Sequence, residues 1–211
     1  MKAAEFDPAC QACPRLSGFL REVKGQHPDY HCRPVAPFGD SAARLLVVGL
    51  APGMHGANAT GRPFTGDHAG ILLYETLFAC GFSTAPVSMQ MDDGLQLVNC
   101  RITNAVKCLP PQNKPLGSEI RECNAFLQQE LQSLPPASVV LALGGIAHRA
   151  VVAAMGKRQV DFPFAHGAEH DLAEGKILLD SYHCSRYNTQ TRRLTPLMFR
   201  QVFERAKQLL R

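Results

Sequence analysis

Residues 44–73 read RLLVVGLAPGMHGANATGRPFTGDHAGILL. Residues 45–50 form a short apolar run bounded by Gly and Pro, the pattern of a buried strand. A loop rich in glycine and small residues follows over 51–70. Residues 71–82 then carry a helix-like apolar pattern that Gly81 brings to an end. Strand, glycine loop and helix is the arrangement in which α/β folds set a ligand against backbone N–H groups and a helix N-terminus. The loop has neither the Gly-Lys-Ser/Thr of a phosphate-binding loop nor a GxGxxG fingerprint. It holds His55, Asn58, Arg62, Phe64, Thr65 and Asp67 instead. Polar groups around one aromatic ring suit a flat, hydrogen-bonding ligand.

Outward from this stretch the alternation continues. The pattern predicts a short helix over 15–24, a β-branched strand over 98–106 and, after Pro110, Pro111 and Pro115, a helix over 119–134 capped by Ser118. A strand over 139–143 stops at Gly144 and Gly145, and a helix over 146–155 follows. A fourth strand covers 177–181. Thr195 and Pro196 supply an N-cap and a first-turn proline for a last helix, with Met198, Val202, Ala206 and Leu209 on one face. Strands alternating with helices imply an α/β fold, a three-layer α/β/α arrangement around a central, mainly parallel four-stranded sheet. The 211 residues suit a single domain over 1–211, with 1–40 as an N-terminal extension held by its cysteines. A nucleotide-binding reading of Gly144 and Gly145 fails for want of a surrounding phosphate-loop pattern.

Composition sets bounds. Hydrophobic residues make up 45% and charged residues 19%, as in an ordinary globular protein. The formal charge of +4 permits nucleic-acid binding without requiring it. No apolar run reaches membrane-spanning length and MKAAEFDPAC lacks a signal core, so a cytoplasmic, nucleoid-associated place with no membrane partner is expected. In such a chain the eight cysteines favour metal or cluster ligation over disulfides. Cys10 and Cys13 form a CxxC pair, and Cys108 and Cys123 a second pair after a strand and a Pro-rich turn. Four thiolates complete either a tetrahedral zinc site or a [4Fe–4S] cluster, and spacing fits both. Cys32 is a rival ligand, Cys80 and Cys100 read as core residues, and Cys184 is left over.

Three stretches together resemble one family. GLAPGMHGANATGRPFTGD (49–67), ITNAVKCLPPQNKP (102–115) and YHCSRYNTQTRRLT (182–195) are similar, in order, to the signatures of family 5 uracil-DNA glycosylases, the UDGb type of bacteria and archaea. The four cysteines resemble the [4Fe–4S] ligands shared with the related family 4 enzymes, which makes a structural cluster the expected cofactor and zinc the alternative. The resemblance implies a monofunctional DNA-repair enzyme that flips uracil, or another deaminated base such as hypoxanthine, out of DNA and hydrolyses its N-glycosidic bond. Its partner would be DNA carrying such a base, and nothing requires more than a monomer.

Residue by residue, the resemblance implies that Phe64 stacks on the base and that Asn104 reads its edge. It implies that His183 donates a hydrogen bond to uracil O2, with the backbone at Leu50 and Ala51 assisting. Related families keep an acidic residue where this chain has Leu50 and Ala51, which leaves Asp67 as the candidate carboxylate, either catalytic or only a helix cap. Arg62, Arg186, Tyr187, Arg192 and Arg193 are the implied DNA contacts, with Lys107 as a further phosphate contact. Two departures stand out: Cys184 replaces the Pro of HPS, and Arg192 replaces the Gly usual before Arg-Leu-Thr. The competing reading, favoured by the missing acidic residue, is a non-catalytic metal- or cluster-bearing nucleic-acid-binding module of the same fold.

Overall fold

The computed structural model describes residues 5–211. In chain order its elements are α1 (Pro14–Gln26), β1 (Phe38–Gly39), β2 (Leu45–Gly49), α2 (Ala57–Thr60), α3 (His68–Cys80), β3 (Cys100–Asn104) and α4 (Gly117–Ser133). They continue with β4 (Val139–Leu143), α5 (Gly145–Ala154), β5 (Glu169–Asp171), β6 (Ile177–Ser181), α6 (Arg186–Gln190) and α7 (Pro196–Leu209). The sheet order is β1-β3-β2-β4-β6-β5. Its middle four strands are parallel, as expected, and β1 and β5 add antiparallel edges, making six strands rather than four.

Alternation along the strands builds two cores. Leu45, Val47, Ile102, Leu141 and Leu179 point to one face and pack under Leu73 and Leu77 of α3 and Phe199 and Phe203 of α7. Leu46, Val48, Val140, Ala142 and Leu178 point to the other, under Leu127 and Leu131 of α4 and Ala147 and Val151 of α5. The result is the expected three-layer order. A third cluster seats α1: Leu16, Leu20 and Val23 are buried against Val106 and Leu109. Each such side chain contributes about 1.5–3 kcal/mol on burial. Arg15 adds an ion pair to Glu119 of α4 at 2.6 Å. Among the described residues no helix is long and apolar enough to cross a membrane.

Two helix starts differ from expectation. Ser118 does not cap α4; the N-cap lies two residues earlier, at Leu116, whose N–H donates to the Glu119 carboxylate at 2.7 Å. The α3 helix begins at His68, because the Asp67 side chain accepts from the Gly70 N–H at 2.9 Å and caps it. Its far end is Gly81, at φ +82°, as predicted.

The strand order reverses direction between β2 and β4, which leaves a crevice at their carboxyl ends. Gly49 and Asn104 sit side by side there as the last residues of β2 and β3. A Cβ on Gly49 would run into the Asn104 carboxamide and lie 2.6 Å from the Phe64 ring. Glycine at this strand end is therefore what lets the two side chains converge.

Candidate active site

The crevice is a cavity of about 410 Å³, lined by Leu50, Ala51, Phe64, Asp67, Asn104, His183 and Arg186. Six predicted base-binding and catalytic residues thus meet in one place, from four segments of the chain. Phe64 stands in the left-handed region at φ +56°, a conformation costing about 1–3 kcal/mol that the surrounding structure must enforce. Its carbonyl fills the space where a Cβ on Gly70 would be, so the loop is clamped onto the first turn of α3. The Phe64 and His183 rings face each other across the cavity, centroids 6.0 Å apart and 30° from parallel.

Asn104 is 3% exposed, and its carboxamide oxygen has no hydrogen-bond partner. An unpaired buried acceptor is costly, about 1–3 kcal/mol, and asks for an N–H from whatever enters the cavity. His183 is placed by its backbone: the Asn188 side-chain amide donates to its carbonyl at 2.8 Å. Burial pulls the His183 pKa down to about 4, so the ring is neutral at pH 7. One Asp67 oxygen caps α3, while the other packs against Gly53 and Gly56 at the cavity wall. Burial raises the Asp67 pKa above its usual range, and the N–H groups of Gly70 and Ala69 pull it back. Helix cap and cavity carboxylate are the same side chain.

Of the expected DNA contacts, Arg186 lines the base cavity and Arg193 a neighbouring one that shares His183. Arg186 and Tyr187 are exposed on α6, with Arg186 reaching the cavity and Tyr187 70% exposed. The exposed Arg193 lies 4.6 Å over the Tyr182 ring. Arg192 is exposed at φ +57°, in the left-handed region that favours the Gly the resemblance implies there. Cys184 is fully buried in the α3–α7 core. Asn113, on the Pro-rich turn, also lines the cavity, and sequence reading missed it; its left-handed φ of +56° is a conformation Asn tolerates.

Arg62 is a correction. It is 4% exposed, and its guanidinium pairs with Asp93 at 2.7 Å, donates to Ser88 at 3.0 Å and to the Met91 carbonyl, and covers the Phe38 ring. Burial works to raise the Asp93 pKa, but Arg62 and three backbone N–H groups hold it at about 2. Arg62 fastens the 84–97 loop and has no charge left for phosphate. Lys107 is likewise buried, on Glu130 at 2.6 Å. Arg62→Ala is expected to cost about 1–3 kcal/mol in urea unfolding, because Asp93 loses its cationic partner and the Ser88 hydroxyl and Met91 carbonyl lose their donor. The salt dependence of DNA binding should stay as in the parent; weaker DNA binding at unchanged stability would return Arg62 to the phosphates.

The four predicted ligand cysteines converge on a second cavity, of about 120 Å³. Cys13 precedes α1, Cys123 lies on α4 and Cys108 follows β3. Burial, and then the neighbouring thiols, push Cys13 up to about 11 and Cys108 up to about 12. A cation would relieve that mutual repulsion of thiolates. Among the described residues, no three of these sulfurs lie within 4.8 Å of one another. The Lys107 N–H donates to Cys123 Sγ at 3.4 Å. Cys32 does not line that cavity; it shares a neighbouring one with Cys10, and its sulfur accepts from the Asn58 side-chain amide at 3.5 Å. Cys80 and Cys100 are core residues, as expected.

Comparison with known proteins adds three findings. The family model described as the uracil DNA glycosylase superfamily matches residues 36–207. A type-5 uracil-DNA glycosylase of Thermus thermophilus is 48% identical over 95% of this chain and 94% of its own, and one of Pyrobaculum aerophilum is 43% identical over 93% and 87%. The crystal structure of wild-type Pedobacter heparinus SMUG2 shares the fold, with a TM-score of 0.50 at 12% identity over 99% of this chain and 92% of that one.

Proposed function

The chain belongs to the type-5 uracil-DNA glycosylases, within the uracil DNA glycosylase superfamily, and we propose how its cavity performs that reaction. It is a uracil-DNA glycosylase, and its general role is base excision repair. What carries the mechanistic reading is the orphan Asn104 oxygen, buried in the cavity that Phe64 and His183 also line. Flipped uracil stacks on Phe64 and presents N3–H to that oxygen and O4 to the Asn104 amide N–H. Cytosine has no N3–H, so it would set an acceptor against an acceptor. A site built around one hydrogen bond can reject the analogue lacking it by about 10⁴–10⁵-fold. Hypoxanthine offers the same N–H and carbonyl pair, and the cavity has room for it.

Hydrolysis releases the base as an anion. Neutral His183 donates to O2, with the backbone N–H groups at Leu50 and Ala51 beside it, and these contacts strengthen as charge moves onto the ring. The Asp67 carboxylate faces the sugar side, where it orients the water and stabilises the oxocarbenium-like sugar. Arg186, Arg192 and Arg193 hold phosphates, and Tyr187 enters the gap left by the flipped base. One chain is sufficient for all of this, acting at the nucleoid. Inhibition by free bases tests the edge reading. Free uracil should inhibit strand cleavage and free cytosine should not; equal inhibition by both would overturn it.

Cys10, Cys13, Cys108 and Cys123 would hold a [4Fe–4S] cluster, which supplies a structural tie between the 1–40 segment and α4 and no electrons to a hydrolysis. Cys108→Ser is expected to lose iron and visible absorbance and to give less soluble protein. A colourless variant of equal stability would contradict this. Zinc in place of iron in the parent would point to the single-ion alternative.

A further inference from the structure

On the α5 side of the sheet, away from the base cavity, lies a polar cluster that the glycosylase reaction does not use. Asp180 is on β6, His170 on the edge strand β5 and His148 on α5. Asp180 is fully buried and His148 is 1% exposed. One donor atom from each of the three lies within 4.8 Å of the others. His148 Nδ1 is 2.8 Å from one Asp180 oxygen, and His170 Nε2 is 3.6 Å from the other. That second oxygen and His170 Nε2 are both buried, and neither has a hydrogen-bond partner.

We propose that His148, His170 and Asp180 form a binding site for one divalent transition-metal ion of the zinc class. Two imidazoles and a carboxylate are the borderline ligand set such ions take, with bonds near 2.0–2.2 Å. The three donors need only small shifts to surround one centre. His148 Nε2 faces the Phe162 carbonyl at 2.8 Å. An imidazole that binds metal through one nitrogen typically donates its other N–H to such a carbonyl, which fixes the ring and its tautomer. An ion here also satisfies the two orphan atoms at once. The competing arrangement is a His148 imidazolium bonded to both Asp180 and Phe162, and it leaves the Asp180 oxygen and His170 unpaired. The ion would clip β5 and α5 onto β6, the strand that leads into His183 three residues after Asp180. Its role is structural, since the cluster does not line the base cavity.

Zinc uptake tests the site directly. The purified holoprotein, His170→Gln and Asp180→Asn are dialysed against buffered Zn²⁺ and analysed for metal, with circular dichroism to check folding. The parent should hold about one more zinc per chain than either variant. Its melting temperature should rise by roughly 5–10 °C at Zn²⁺ a hundredfold above Kd, and theirs should not. No uptake by the parent, or equal uptake by all three, overturns the proposal. Should both variants unfold, Co²⁺ binding to the parent decides. Visible bands without sulfur-to-metal charge transfer support the histidine site, and thiolate bands place the ion at the cysteines and overturn it. Glycosylase activity does not enter these readouts, so they stand apart from the reading of the base cavity.

Discussion

Asp67→Asn is expected to slow single-turnover release of uracil by about 10²–10⁴-fold while leaving the melting temperature close to that of the parent. The separation follows from the two oxygens of one side chain. Asn caps helices as well as Asp, so the bond from the Gly70 N–H survives. What disappears is the negative charge at the cavity wall. Asp67→Ala removes both functions and should also lower stability by about 1 kcal/mol. The pH profile sharpens the test. Burial raises the Asp67 pKa, so activity should fall as pH drops through that raised value, and the Asn variant should lack this limb. His183 has its own effect, on stability. Its pKa drops from 6.5 to about 4 on folding, so protons favour the unfolded chain and stability declines as pH falls from 6.5 toward 4. A parental rate in Asp67→Asn would reduce Asp67 to a helix cap.

Asn104→Leu is the second large effect, expected to cut uracil release by about 10²–10³-fold, the usual consequence of losing a hydrogen-bonding group aimed at developing charge. Stability should move the other way or not at all. The Asn104 oxygen is already buried without a partner, so an apolar side chain of similar size removes a desolvated group rather than a contact. Loss of rate with an unchanged or higher melting temperature is the signature of a group kept for the ligand. A variant that retained the rate would show that base selection lies elsewhere in the cavity.

Much of this site was legible because its residues sit where strong patterns end. The runs at 45–49, 139–143 and 177–181 are strands with the apolar content buried strands need, and Asn104 and His183 stand just at or after strand ends. The edge strands were not legible: β1 is two residues long and β5 is Glu-His-Asp, with neither length nor hydrophobicity to mark them. Arg62 and Lys107 were misread for a different reason. A charge in a sequence looks solvated, and the partners that bury these two, Asp93 and Glu130, lie 31 and 23 residues away. Asp67 posed a choice between cap and catalyst that sequence alone does not decide; one of its oxygens caps α3 and the other stands at the cavity wall, a geometry compatible with both uses.

Strand cleavage of a labelled duplex carrying a single uracil, with and without alkali, shows whether this cavity hydrolyses the glycosidic bond of a flipped uracil. The predicted result is an abasic site: DNA that stays intact until alkali nicks it at the uracil position, with the paired cytosine duplex untouched under both conditions. A nick without alkali would mean lyase chemistry that these residues do not supply. Intact uracil DNA after alkali would rule out hydrolysis in this cavity and leave it a site that binds the base without cleaving it.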